Sequence, residues 1–291
     1  MKLDEFQRKA LQTDQRTMYP AGDIFVPLLG LVGEVGSLAT EYKKQARDGV
    51  AHTWAKARLR EELGDVLWYV AVVADRAGLS LDDIAVANLD KVADRWMPEE
   101  ALMPLDLEFP DNERFPGTLT YVFRSEERAD GVRVSRVTCE GTQVGDPLTD
   151  SSANPDYYRF HDIFHLSYAA ALGWSPVTRA LLKRKRKSQP AVDENEDGGR
   201  AIVIEEGIAA LVFAYAATHS YLDGIKRIDT ELLGVIKKMT NTLEVGVRSA
   251  ATWEQAILRG FAVWNQLRAA DGGVVHADLR SRSLTWSPLT D

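Results

Sequence analysis

In "REELGD", Glu62 and Asp65 lie three residues apart, so on a helix both carboxylates project from one face while Glu61 points about 100° away. That face continues into the apolar "VLWYVAVVA", where two acids are costly unless paired or bound to a cation. Glu34 stands in "GLVGEVGSLATEYKK", residues 30–44, amid another apolar stripe, and antiparallel pairing of the two helices would bring it to Glu62 and Asp65. Three carboxylates from two helices form a hard-oxygen ligand set for Mg2+ or Mn2+, ions that keep open positions for water and phosphate oxygens. The competing reading leaves these acids on the surface, Glu62 paired with Arg58 or Arg60 and Glu34 with Lys44 or water.

A second constellation stands in "RFHDIFHLSY". His161 and His165 are four apart and share a helical face, Asp162 is adjacent to that face, and Glu205 and Glu206 on a later helix would complete a metal site. The alternative is a pair of histidines packed at a helix interface with hydrogen-bonded ring nitrogens.

The elements that must position these groups are mostly helices. Helical spacing predicts a first helix over residues 3–13, ended by "YPAGD", and a second from about Ile24 to Arg47, with Leu28, Leu31, Val32, Val35, Leu38 and Tyr42 as its stripe, ended by "DGVAH". A third runs from about Trp54 to Ala77, apolar nearly all round in its second half, with Gly78 as C-cap. A fourth opens on Ser80 with Asp83 three residues later. Residues 98–116, rich in Pro, Asp and Glu, read as a linker, and "GTLTYVFRSEERADGVRVSRVTCEG" as a β-hairpin. Helical patterning returns at 156–174, 200–222, about 224–247 and 252–269. The basic run Lys183 to Lys187, with Arg179 one turn before, reads either as a guide for polyphosphate or, by preference, as a solvated helix end balanced by "DENED".

Composition bounds the function. The 291 residues carry 35 basic and 43 acidic side chains, a net charge of −8, which argues against broad attraction to nucleic acid or anionic lipid. The single cysteine, Cys139, excludes an intramolecular disulfide framework. The start "MKLDEFQRKALQTD" is amphipathic where a secretory signal has an apolar core, and no run reaches the ~18 apolar residues of a membrane span. A cytoplasmic protein is expected.

Taken with their order and spacing, "LVGEVGSLATEYKK", "REELGDVLWYVAVVA" and "ANLDKVADRW" resemble the MazG-like family of all-α nucleoside triphosphate pyrophosphohydrolases, over about residues 3–96. The resemblance implies a mainly α fold: a MazG-like antiparallel helical bundle over residues 1–98, a linker and short β-hairpin over 99–150, and a second helical domain over 151–291. It implies cleavage of a nucleoside triphosphate to monophosphate and pyrophosphate, with Glu34, Glu62 and Asp65 holding Mg2+ or Mn2+, Lys91 in catalysis, and Asn88, Lys91 and Arg95 on substrate. Ser37 departs from the pattern, since the family usually has a second Glu there. A weakened or single-metal site, compensation by Glu41, or nucleotide binding without turnover would each follow.

Within the chain, "EEGIAALVFAYAATH" resembles "EELGDVLWYVAVVAD", and "HDIFHLSYAAAL" can be laid on "GEVGSLATEYKK" with Asp162 at Glu34 and His165 at Ser37. On that reading the second half is a diverged repeat, and the protein is either a homo-oligomer, such as a dimer, or an intramolecular pseudo-dimer. Three functions compete: the pyrophosphohydrolase, a nucleotide-sensing module, and a His/Asp/Glu metallohydrolase in the second half.

Overall fold

A computed structural model describes residues 1–14, 24–49, 56–98 and 102–290. The chain divides into two units, Met1–Lys91 and Val92–Asp291.

The first unit is helical. α1 (Leu3–Ala10) has acids in its first turn and bases in its last, matching the helix dipole, and a 3-10 turn over Leu11–Thr13 follows. α2 (Phe25–Asp48) begins with Pro27 in its first turn, where a missing N–H costs nothing, and α3 (Lys56–Arg76) packs against it. α4 spans Leu81–Trp96, and its end beyond Lys91 belongs to the second unit. The "YPAGD" break and most of "DGVAH" lie outside the described residues.

Side chains tie α1 to the start of α4. Gln7 donates from Nε2 to the Leu79 carbonyl (3.0 Å) and accepts the Leu81 N–H on Oε1 (3.0 Å). The Asp4 carboxylate accepts from the Asp82 N–H and the Ser80 hydroxyl, and these bonds hold its carboxyl below the usual carboxylate range. Ser80 in turn accepts the Asp83 N–H at 3.2 Å, so the expected N-terminal cap is present. Gly78 has φ +70°, the left-handed conformation its C-cap role requires.

The buried core of this unit is small: Ala10, Ala71, Ala74 and Leu81, with Phe6, Trp68 and Val70 against them. The apolar stripe of α2 is not covered by it. Among the described residues Val32 is 65% exposed, and Leu28, Leu29 and Val35 are exposed as well. The periodicity was a true sign of an amphipathic helix: Leu31 and Leu38 of its stripe are part-buried, while Leu28, Val32 and Val35 stay exposed among the described residues.

In the second unit the predicted hairpin forms β1 (Thr118–Glu127) and β2 (Arg133–Cys139). Short β3 (Thr142–Gln143) extends one side, and two strands from the far end of the chain, β4 (Gly272–Asp278) and β5 (Ser283–Ser287), extend the other. The antiparallel order is β3-β2-β1-β4-β5, with Tyr121 opposite both Cys139 and Val275. The sequence reading did not anticipate β4 and β5. Gly272 and Gly273 open β4 at φ +142° and +150°, and a side chain at Gly273 would overlap the Trp286 indole.

The remaining helices are α5 (Asp162–Leu172), α6 (Pro176–Leu181), α7 (Pro190–Asn195), α8 (Gly199–Ala217), α9 (Thr230–Thr240) and α10 (Ala250–Ala270). Every residue of α5 is buried, because α10 lies along it and the sheet and α8 also pack on it. Phe164, Phe213, Phe261 and Trp264 interlock there.

Two sequence expectations are corrected in this unit. Residues 102–116, read as a linker, form turns packed onto the second unit: Asp106, Phe109 and Glu113 are buried, and Asp106 accepts from Arg179 at 2.7 Å. Nor is the basic run a solvated helix end or a polyphosphate guide at Arg179 and Arg186. Both are buried, and Arg186 bonds Asp197 (2.7 Å) and Glu244 (2.6 Å). "DENED" does supply balancing carboxylates, Asp197 to Arg186 inside the protein and Asp193 to Lys185 at 3.8 Å nearer the surface.

Candidate metal-binding active site

Two contacts fix how α2 and α3 run past each other. Gly30 lies against the Tyr69 ring, and Glu41 pairs with Arg58 at 3.3 Å. Moving along α2 from Gly30 to Glu41 is therefore matched by an equal move back along α3 from Tyr69 to Arg58, and the helices are antiparallel. Positions 30, 34, 37 and 41 form one stripe of α2, and 58, 62, 65 and 69 form one stripe of α3, since steps of 3 and 4 stay on one helical face. The register sets Glu34 level with Asp65 and Ser37 level with Glu62. Gly30 is needed at this crossing because a methyl group there would overlap the Tyr69 ring.

Glu34 and Glu62 are half-buried, and Asp65 and Ser37 are exposed, so the acids line a seam that solvent reaches. Among the described residues none of the three carboxylates has an ion-pair or hydrogen-bond partner. Two of the cations that could have neutralised them are engaged elsewhere: Lys44 bonds Glu41 at 2.7 Å and Arg58 bonds it from α3. Lys44 holds the Glu41 carboxyl below the usual range. Glu41 is thus committed to two cations rather than standing in for the acid missing at Ser37. The oxygens of Glu34, Glu62 and Asp65 are not among the groups whose ligand atoms lie within 4.8 Å of one another.

Asn88 and Lys91 are exposed one turn apart on α4. Arg95, one turn further, bonds the Ile228 carbonyl (3.0 Å), Thr230 Oγ1 (3.1 Å) and Glu254 (3.4 Å) and stacks on Trp96.

The second constellation is assembled in the second unit. His161, His165 and Glu206 offer ligand atoms that all lie within 4.8 Å of one another. Glu205 is not one of them: its carboxylate accepts from His165 Nδ1 (2.9 Å), the Ser175 hydroxyl (2.6 Å) and the Val177 N–H at the start of α6 (2.8 Å). Asp162 is buried next to the cluster, its Oδ1 3.9 Å from His161 Nε2, and burial pushes its carboxyl up. Burial pushes the His161 imidazole down; at His165 burial acts in the same direction but is outweighed by Glu205 and Glu206, which raise it to about 10. Glu205 and Glu206 were legible as a pair, but the division of roles between them was not. It depends on Ser175 and Val177, which no motif marks.

Residues 27–97 match the family model of the MazG nucleotide pyrophosphohydrolase domain, and residues 100–290 match that of the MazG C-terminal domain. The Gene 37 protein of Mycobacterium phage L5 is 38% identical over 104 residues, which are 33% of this chain and 89% of that protein. No solved structure matches.

Proposed function

The chain belongs to the MazG family, and from that premise we propose that its first unit hydrolyses a nucleoside triphosphate, NTP or dNTP, to the nucleoside monophosphate and pyrophosphate. The observation that carries this reading is the α2–α3 register, with Glu34, Glu62 and Asp65 on facing stripes and without partners among the described residues. That donor set, three hard oxygens on a solvent-reached seam, fits Mg2+ or Mn2+. Rotation of the three side chains within the seam is what would gather them on an ion. When bound, the ion supplies charge neutralisation for the phosphates and an acidified water for attack on the α-phosphorus.

The chain's own groups have separate tasks. Lys91 offers a point charge to phosphate oxygens, and Asn88, one turn earlier, hydrogen-bonds substrate or a ligand carboxylate. A carboxylate of the seam takes the proton released by the attacking water. Arg95 we assign to holding the end of α4 rather than to substrate, because three acceptors of the second unit occupy its guanidinium. No helix among the described residues is long and apolar enough to cross a membrane, and cytoplasmic nucleotides are the matching substrate pool. An assay of products over the common NTPs and dNTPs with Mg2+ and Mn2+ tests the proposal: monophosphate and pyrophosphate support it. Nucleotide binding with no product across the panel would favour the sensing module instead, the reading to which Ser37 lends support.

Ser37 offers a graded test. Because it is level with Glu62, Ser37→Glu adds a fourth carboxylate to the seam and is expected to lower the Mg2+ concentration for half-maximal rate about tenfold. An unchanged or higher Mg2+ requirement would mean that the site is built around the serine.

We also propose that the first unit self-associates. Its small core cannot by itself account for the exposed Val32 and Val35 of α2, or for Val86 and Leu89 beside Asn88 on α4, and a second copy is the natural cover. Light scattering should give a mass of two or more chains, reduced to one by Val32→Asp; a monomeric wild type would contradict this.

A further inference from the structure

The second unit contains a polar cluster that the proposed reaction does not use. His165 is 1% exposed, its Nδ1 lies 2.9 Å from Glu205 Oε1, and a carboxylate can only accept. Nδ1 therefore carries a proton. The same logic holds at His161, whose Nδ1 lies 3.0 Å from the Tyr158 carbonyl oxygen. Both imidazoles are oriented through Nδ1, leaving Nε2 of each to face the shared space.

At that space His165 Nε2 is buried and makes no hydrogen bond, although Glu206 Oε2 is 3.4 Å away. A histidine kept only for packing would use both nitrogens. The 3.4 Å separation is close to the roughly 3.3 Å between two ligands of a tetrahedral ion with bonds of about 2.0–2.1 Å. The chain of Glu205 carboxylate, His165 ring and open Nε2 has the form in which a carboxylate orients a metal-binding imidazole. The Glu206 side chain is 43% exposed, so the cluster opens to solvent on one side, and Asp162 adds a second nearby carboxylate.

We propose that His161 Nε2, His165 Nε2 and the Glu206 carboxylate form a binding site for one divalent transition-metal ion, with Glu205 orienting His165 and the solvent side left to water or a small ligand. Two imidazoles and one carboxylate select a borderline ion such as Zn2+, Fe2+ or Co2+ over Mg2+. The site is independent of the carboxylate seam of the first unit in both residues and metal class.

The test uses the full chain stripped with a chelator and titrated with Co2+ in excess Mg2+, following the visible absorption of the cobalt. One Co2+ per chain is expected. Glu206→Gln and His161→Ala are each expected to weaken it at least tenfold, a conservative expectation given that even orienting partners of ligands contribute 10–100-fold. Glu62→Ala and His219→Ala are expected to leave it unchanged, the first separating this site from the seam. A wild type with no Co2+ band up to millimolar ion would overturn the proposal. So would a band that persists in Glu206→Gln, a nearly isosteric change at a half-exposed side chain that decides the matter even if His161→Ala does not fold.

Discussion

Glu62→Ala and Asp65→Ala are each expected to lower the rate of monophosphate release on the order of 10²–10³-fold, because each removes a proposed metal ligand, and a bound ion's stabilisation of transition-state charge is several kcal/mol. The fold should survive, since neither carboxylate bonds to another described residue and Asp65 is exposed. Initial rates at saturating nucleotide, with circular dichroism as the check on folding, measure the effect. Full activity in both variants would remove the α2–α3 seam from consideration.

Arg186→Met is expected to destabilise the second unit by about 3–5 kcal/mol, the cost of removing one partner from a buried ion pair. Arg186 donates from Nη2 to Asp197 (2.7 Å) and Glu244 (2.6 Å), and its N–H also bonds Asp197 (2.7 Å). Methionine fills much of the space but leaves the wholly buried Asp197 with only the more distant Arg179 guanidinium, at 3.7 Å. For a unit of this size the midpoint of thermal unfolding should fall by roughly 6–20 °C. Lys187→Ala, at the exposed neighbour, should change it little. Equal midpoints in the two variants would show that the basic run is solvated after all.

The helices were legible because their signals are local. Ser80 and Asp83 announced the start of α4, Gly78 announced the end of α3, and the helical patterning at 156–174 and 200–222 fell on α5 and α8. What was hidden depends on long-range pairing. Strands β4 and β5 form because Tyr121 has Val275 for a neighbour, and nothing within "GGVVHAD" declares that partner. The burial of Arg179 and Arg186 follows from carboxylates at Asp106, Asp197 and Glu244 that are distant in sequence from at least one of them.

The site residues show the same division. Spacing alone put Glu62 with Asp65, which lie within α3, and His161 with His165, since His161 is the N-cap residue of the helix that carries His165. The level at which Glu34 meets Asp65 needed the contacts Gly30–Tyr69 and Glu41–Arg58, and these also turned Ser37 from a departure in a motif into the position facing Glu62. The choice of Glu206 over Glu205 as the open carboxylate needed the hydrogen bonds of Ser175 and Val177.

The central claim is attack of water on the α-phosphorus at the carboxylate seam, and its most direct test is turnover of a nucleoside triphosphate in 18O-labelled water with mass analysis of both products. The account predicts one 18O atom in the nucleoside monophosphate, none in the pyrophosphate, and labelled product formed on the order of 10²–10³-fold more slowly by Glu62→Ala. Label in the pyrophosphate, or labelled monophosphate formed undiminished by Glu62→Ala, would contradict it.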